Sequence, residues 1–209
     1  MKRLLALVFA TLSLASVASA KFYVGVETGY LGQGGMFEFR PTSSGFHTIS
    51  TGSIDDIIAN SGKGFGIAGL LGQEANFGII GLRWGLGLGY GTVDFDDGVD
   101  WKLETFTTEV SFDMLLNLVN KGSFSFGIFG GIGTQYQLVL NSFPGFDAVH
   151  TLGFDGRVGL TTLLARHHRL EVYTKLPFAY VTNKYELGDK QLLTGSAKSF
   201  IGASYKYVF

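Results

Sequence analysis

The sequence predicts an all-β fold, an eight-stranded antiparallel up-and-down transmembrane β-barrel, on three observations. Large apolar side chains alternate with small or polar ones at period two through eight separate stretches, the mark of strands with two unlike faces. The large-residue positions of all eight stretches carry no charge, while the opposite faces, taken as a set, hold five acids and four bases among glycines, serines and threonines. The connections between the stretches are alternately long and short. Bulk composition fits the same class. With no cysteine the chain has no disulfide framework, and a net charge of −1 leaves no basic footprint for nucleic acid.

Residues 1–20 read as a signal peptide. Lys2 and Arg3 precede an apolar run from Leu4 to Ala18, and Ala18-Ser19-Ala20 supplies a small-residue cleavage site. The barrel is expected over residues 21–209. The first strand, about Phe22 to Leu31, groups Phe22, Val24, Val26, Thr28 and Tyr30 on one face. The second, about Gly62 to Gly72, groups Phe65, Ile67, Gly69 and Leu71. The third is the stretch GLRWGLGLGYG at 81–91, with Leu82, Trp84, Leu86, Leu88 and Tyr90 alternating with Gly81, Arg83, Gly85, Gly87 and Gly89. The fourth presents Phe106, Val110, Phe112 and Met114, and the fifth Phe124, Phe126, Ile128, Ile132 and Tyr136. The sixth presents Leu152, Phe154, Val158 and Leu160. The seventh presents Leu170, Val172, Leu176, Phe178 and Tyr180, with Pro177 expected to end its regular pairing. The eighth presents Ile201, Ala203, Tyr205, Tyr207 and Phe209.

The faces opposite these carry Glu27, Arg83, Glu109, Asp113, Asp155, Arg157, Glu171, Lys175 and Lys206. A soluble barrel would bury its apolar faces, and eight such faces bearing Trp, Phe and Tyr would overfill so small a core. The reverse arrangement fits: apolar faces toward lipid, charges and glycines toward the lumen. A lipid-facing Arg or Lys at mid-membrane costs about 2–4 kcal/mol, which accounts for the charge-free face. Backbone groups in lipid must be paired within the protein, so the sheet has to close. The long connections, about 32–61, 92–102, 139–150 and 181–196, belong outside the cell, and the short ones around 73–76, 117–123 and 165–169 in the periplasm. Tyr30, Tyr90, Phe106, Tyr136 and Tyr180 then form an outer aromatic girdle, and Phe22 and Phe124 belong to the periplasmic one.

The final stretch, SFIGASYKYVF, ends in Phe209 with Tyr207 and Tyr205 at alternate positions before it. It resembles the C-terminal signature of Gram-negative outer-membrane proteins, and the whole chain is similar to small barrels of the OmpX and OmpA membrane-domain type. The resemblance implies export through a cleaved signal peptide to the outer membrane. It also implies reading of Tyr205, Tyr207 and Phe209 by the barrel assembly machinery, and a surround of outer-membrane lipids and lipopolysaccharide. It brings no active site with it.

An eight-stranded barrel is filled by its own side chains. The lumenal charges are therefore expected to form a hydrogen-bonded network. Arg83 and Arg157 should face Glu27, Glu109, Asp113 and Asp155, with Lys175 and Lys206 near Glu171. No cofactor or metal is expected. The aspartates of DFDDGVD at 94–100 miss the calcium-loop register, and the glycine runs lie inside strands rather than before helices. His47 and His150 are the histidines that an interfacial lipid-modifying enzyme would use, but the sequence holds no nucleophile elbow and no metal-spaced histidine pair. His167 and His168 read as part of a polar periplasmic turn with Arg166 and Arg169. The first long connection, 32–61, carries apolar residues of its own and a short helix signal at SIDDIIANSG, with Ser53 as N-cap. It is the expected site for any extracellular ligand. The function expected is a non-enzymatic structural or surface-recognition barrel, with a small low-conductance channel as the alternative.

Overall fold

The computed structural model describes residues 20–33, 37–42, 45–50, 64–96, 100–141, 149–182, 185–187, 190–193 and 198–209. Residues 1–19 of the expected signal peptide, the Ser53 helix signal and the middle of the 94–100 acidic run lie outside the described residues. Strands β1 (Lys21–Gln33), β2 (Phe37–Thr42), β3 (Gly45–Ser50), β4 (Gly64–Phe77), β5 (Ile80–Asp96) and β6 (Asp100–Lys121) make the first half. Strands β7 (Phe124–Asn141), β8 (Val149–Leu164), β9 (His168–Thr182), β10 (Tyr185–Leu187), β11 (Lys190–Leu193) and β12 (Lys198–Val208) make the second.

Eight of these close on themselves in the order β12-β1-β4-β5-β6-β7-β8-β9, with β9 meeting β12 again. Every barrel pairing is antiparallel. Closure satisfies the ladder of N–H and C=O groups without an edge inside the membrane. Along β5 the burial alternates residue by residue: Gly81, Arg83, Gly85 and Gly87 are buried, while Leu82, Trp84, Leu86 and Leu88 are exposed, Leu88 by 67%. The apolar faces thus point away from the barrel axis on the eight barrel strands, up to the level of Pro177 on β9. At the outer end Tyr90 packs on Phe106 with ring centroids 5.2 Å apart, and at the periplasmic end Phe22 packs on Phe209 at 5.8 Å.

The periplasmic turns are tighter than the sequence suggests. β4 runs on to Phe77, β6 runs on to Lys121, and β9 begins at His168. The turns are therefore Gly78-Ile79, Gly122-Ser123 and Ala165-Arg166-His167. Gly78 and Gly122 supply positive φ, +81° and +58°, a conformation that costs glycine nothing. These turns are tied to neighbouring strands: Asn117 and Asn120 donate to the Gly78 carbonyl, and the Arg166 amide donates to the Ser123 carbonyl.

The wall changes character between β9 and β12. Their pairing spans Tyr207↔His168 to Phe200↔Lys175 and stops there. Two residues higher stands Pro177, which has no N–H to give to a ladder. Phe178 is then an extra residue, because Asp155 pairs with Pro177 and Phe154 with Ala179. Above this bulge the edge of β9 is taken by β2 running parallel to it, Phe37↔Ala179 to Phe39↔Val181. The first long connection is therefore partly wall: its β2–β3 hairpin completes the rim where β12 has not yet begun. The bulge also overturns one girdle assignment. One inserted residue turns the following side chains to the opposite face, and Tyr180, expected on the outer face, is buried at 3% exposure.

Candidate functional site: the lumenal charge ladder

The inward faces bring together eight of the nine charged residues that period two assigns to the lumen, and they bond in one alternating series. Lys175 Nζ donates to Glu27 Oε1 at 2.7 Å and to Glu109 Oε2 at 2.6 Å. Arg157 Nη1 donates to Glu109 Oε1 at 2.7 Å, and its Nε lies 3.7 Å from Asp113 Oδ1. Arg83 grips Asp113 Oδ2 through Nε at 3.0 Å and Nη2 at 2.7 Å, and its Nη1 donates to Glu171. Lys206 closes the series on the other oxygen of Glu171. The order is Glu27, Lys175, Glu109, Arg157, Asp113, Arg83, Glu171, Lys206: acid and base in strict alternation, each at most 7% exposed.

Buried ions are costly unless paired and hydrogen-bonded, and neutral groups fill out the bonding here. Tyr173 donates to Glu27, while Thr161 and Ser204 donate to Glu171 at 3.0 and 3.2 Å. Aromatic rings line the same space. Arg83 lies over the Phe129 ring at 4.9 Å, Lys175 over Phe200 at 4.9 Å and Arg157 over Tyr173 at 5.3 Å. Desolvated cation–π contacts of this kind contribute about 2 kcal/mol each. β7 adds no ion; its glycines leave the room. A Cβ at Gly133 would sit 2.7 Å from Asp155 Oδ1.

Three placements differ from the sequence reading. Lys175 does not meet Glu171; it bonds Glu27 and Glu109, and Arg83 takes its place at Glu171. Residues 171 and 175 share a face of β9, but four steps at about 3.3 Å put them some 13 Å apart along the strand. Asp155, fully buried at 0% exposure, is outside the series: Gln135 Nε2 donates to its Oδ2 at 3.4 Å, and its Oδ1 has no hydrogen-bond partner. Finally, Glu74 and Arg169, which the sequence reading assigns to turns, form a buried lumenal pair at 2.8 Å near the periplasmic end. Arg169 also donates to Thr161 Oγ1 at 2.7 Å, which joins this pair to Glu171.

A cavity of about 50 Å³ adjoins the upper end of the series. Glu27, Glu109, Lys175, Thr107 and Gln135 line its polar side, and Gly66, Ala68, Gly87 and Gly89 form its bare wall. It has room for one or two waters. Elsewhere, His150 shares a 2.6 Å hydrogen bond with the Tyr136 hydroxyl at the outer rim. The side chain of His47 and the loop 142–148 lie outside what the structure describes. Among the described residues no group of three His, Asp or Glu side chains is arranged to hold a metal ion.

A closed eight-stranded barrel, apolar outside and ionic within, with aromatic rings at both rims, defines an integral membrane protein of the bacterial outer-membrane class. Residues 69–209 match the model of the family described as Helicobacter outer membrane protein, and the chain belongs to that family. The barrel is therefore an outer-membrane protein. Among solved structures it is similar to Neisserial surface protein A (NspA), with 11% identity over 91% of this chain and 99% of that one and a TM-score of 0.49. It is also similar to a major outer membrane protein from Thermus thermophilus, with 15% identity over 91% and 100% of the two chains and a TM-score of 0.45. No curated protein sequence matches the chain.

Proposed function

We propose that the protein is a non-enzymatic, non-conducting outer-membrane barrel that acts at the cell surface through its external loops. The observation that carries this reading is the alternating ion series, which crosses the lumen from Glu27 to Lys206 with every member buried and bonded. An ion entering such a lumen would have to break several buried pairs, each strongly coupled at low local dielectric. Loop 32–61 is the segment offered to an extracellular ligand, held at its base by the β2–β9 pairing. Lipopolysaccharide and phospholipid solvate the apolar faces. Tyr205, Tyr207 and Phe209 serve as the signal to the assembly machinery; the first two are anchored by ring contacts with His168 and His167.

A low-conductance channel is the second reading, favoured by the cavity of about 50 Å³ beside Lys175. Planar-bilayer recording of the refolded protein separates the two, with a heat-dependent gel shift as the folding control. Folded protein is expected to be electrically silent. Discrete steps that change when Arg83 or Glu109 is neutralised would overturn the closed reading in favour of the channel.

A further inference from the structure

We propose that Arg166, His167 and His168, in the turn between β8 and β9, form a receptor for the phosphate headgroup of a phospholipid in the periplasm-facing leaflet. The turn is a strained one. The His167 amide donates to the Leu164 carbonyl at 3.1 Å, and the two residues between, Ala165 and Arg166, have φ of +49° and +67°. A two-residue turn of this left-handed type favours Asn-Gly or Gly-Gly, and the other two periplasmic turns do place glycine at their positive-φ positions. Here a side chain is kept in spite of the backbone cost, and it is an arginine at the exposed tip. Strain retained at a surface position points to function.

The histidines beside it are oriented. Nδ1 of His167 donates to the Val208 carbonyl at 2.6 Å, and Nδ1 of His168 shares a 2.8 Å bond with the Tyr205 hydroxyl. The His167 ring stacks on Tyr207 at 5.5 Å. In each imidazole Nε2 is the nitrogen that these bonds leave over, able to donate to an anion when the ring is protonated. Tyr205 and Tyr207 belong to the aromatic belt, so the three cationic or protonatable groups are held at headgroup depth. Their electrostatics are the reverse of the lumen's. Every buried Lys and Arg on the inner face has a carboxylate, whereas among the described residues Arg166, His167 and His168 make no ion pair. What complements such a site in the plane of a membrane is a lipid phosphate.

The test is native mass spectrometry of the detergent-purified protein, titrated with dimyristoyl phosphatidylglycerol, with the diacylglycerol of the same chains, and with inorganic phosphate. One phosphatidylglycerol is expected to remain bound where diacylglycerol does not. Arg166→Glu is expected to weaken that retention about fivefold or more, the scale of one surface cation at an anionic membrane. Arg166→Ser with His167→Asn and His168→Asn should remove it. Ala165→Gly, which relaxes the turn and keeps all three side chains, should retain the lipid and serves as the folded control if the triple variant fails the heat-shift assay. Equal retention of the two lipids, or retention unaffected by Arg166→Glu, overturns the site. Inorganic phosphate binding as tightly as the lipid overturns the assignment to a membrane lipid.

Discussion

The lower and upper halves of the lumen are built from the same residue types and balanced differently. Toward the periplasm, Glu74, Asp113 and Glu171 face Arg83, Arg169 and Lys206, three acids to three bases. Toward the outside, Glu27, Glu109 and Asp155 face only Arg157 and Lys175. The surplus acid is Asp155, and the cavity lies in this same half; unbonded oxygens occur in both, on Thr105 and Gln137 above and on Glu74, Asp113 and Asn117 below. A buried carboxylate is therefore not one kind of object in this barrel. Below, it holds strands together; above, Asp155 is carried by the fold at a cost.

The same chemical change should have opposite consequences at the two heights. Glu171→Gln strips the shared partner from Arg83 and Lys206, and stranding buried charge costs about 3–5 kcal/mol. Urea unfolding of the refolded barrel should show that loss as a large drop in midpoint at unchanged slope. A drop under about 1 kcal/mol would mean that the lower half is not the structural one. Next in size, Val110→Arg moves a charge to the other side of the same wall, where Val110 is exposed to lipid. It should cost about 2–4 kcal/mol and appear as failed insertion into bilayer vesicles. Normal insertion would reverse the assignment of inside and outside. Smallest, Asp155→Asn keeps the Gln135 bond and removes an unpaired buried charge. It should leave the unfolding midpoint unchanged or raise stability by up to about 1 kcal/mol. A clear loss would show that Asp155 is paired as productively as Glu171.

Most of this lumen is legible in the sequence because a strand's period admits no compromise: a residue two steps from Arg83 or Glu171 shares its face. Extending the same period by one step also reaches Glu74, two beyond Gly72, and Arg169, two before Glu171. Both resemble turn residues because Gln73-Glu74-Ala75-Asn76 and Ala165 to Arg169 are polar runs, and polarity marks a lumen as well as it marks a turn. Heights are harder. Which acid meets which base depends on strand stagger, so the partners of Lys175 do not follow from its face alone. Tyr180 lies beyond the reach of periodicity, since the bulge at Phe178 depends on where β12 starts and on β2 lying alongside. Pro177 is its only local hint.

The alternating series has a bearing on how the protein comes to be folded. Its members stand on β1, β5, β6, β8, β9 and β12, so the first link joins β1 to β9 past the intervening β12, and the last needs that final strand to arrive. A half-assembled barrel would hold Arg83 and Glu171 in place with Lys206 still missing, and Glu27 would wait for Lys175. Partly wound intermediates are thus penalised by unmatched charge, and the penalty lifts only when the two chain ends meet. The series works as a latch on the finished barrel, because only the complete cylinder gives each of its charges a partner.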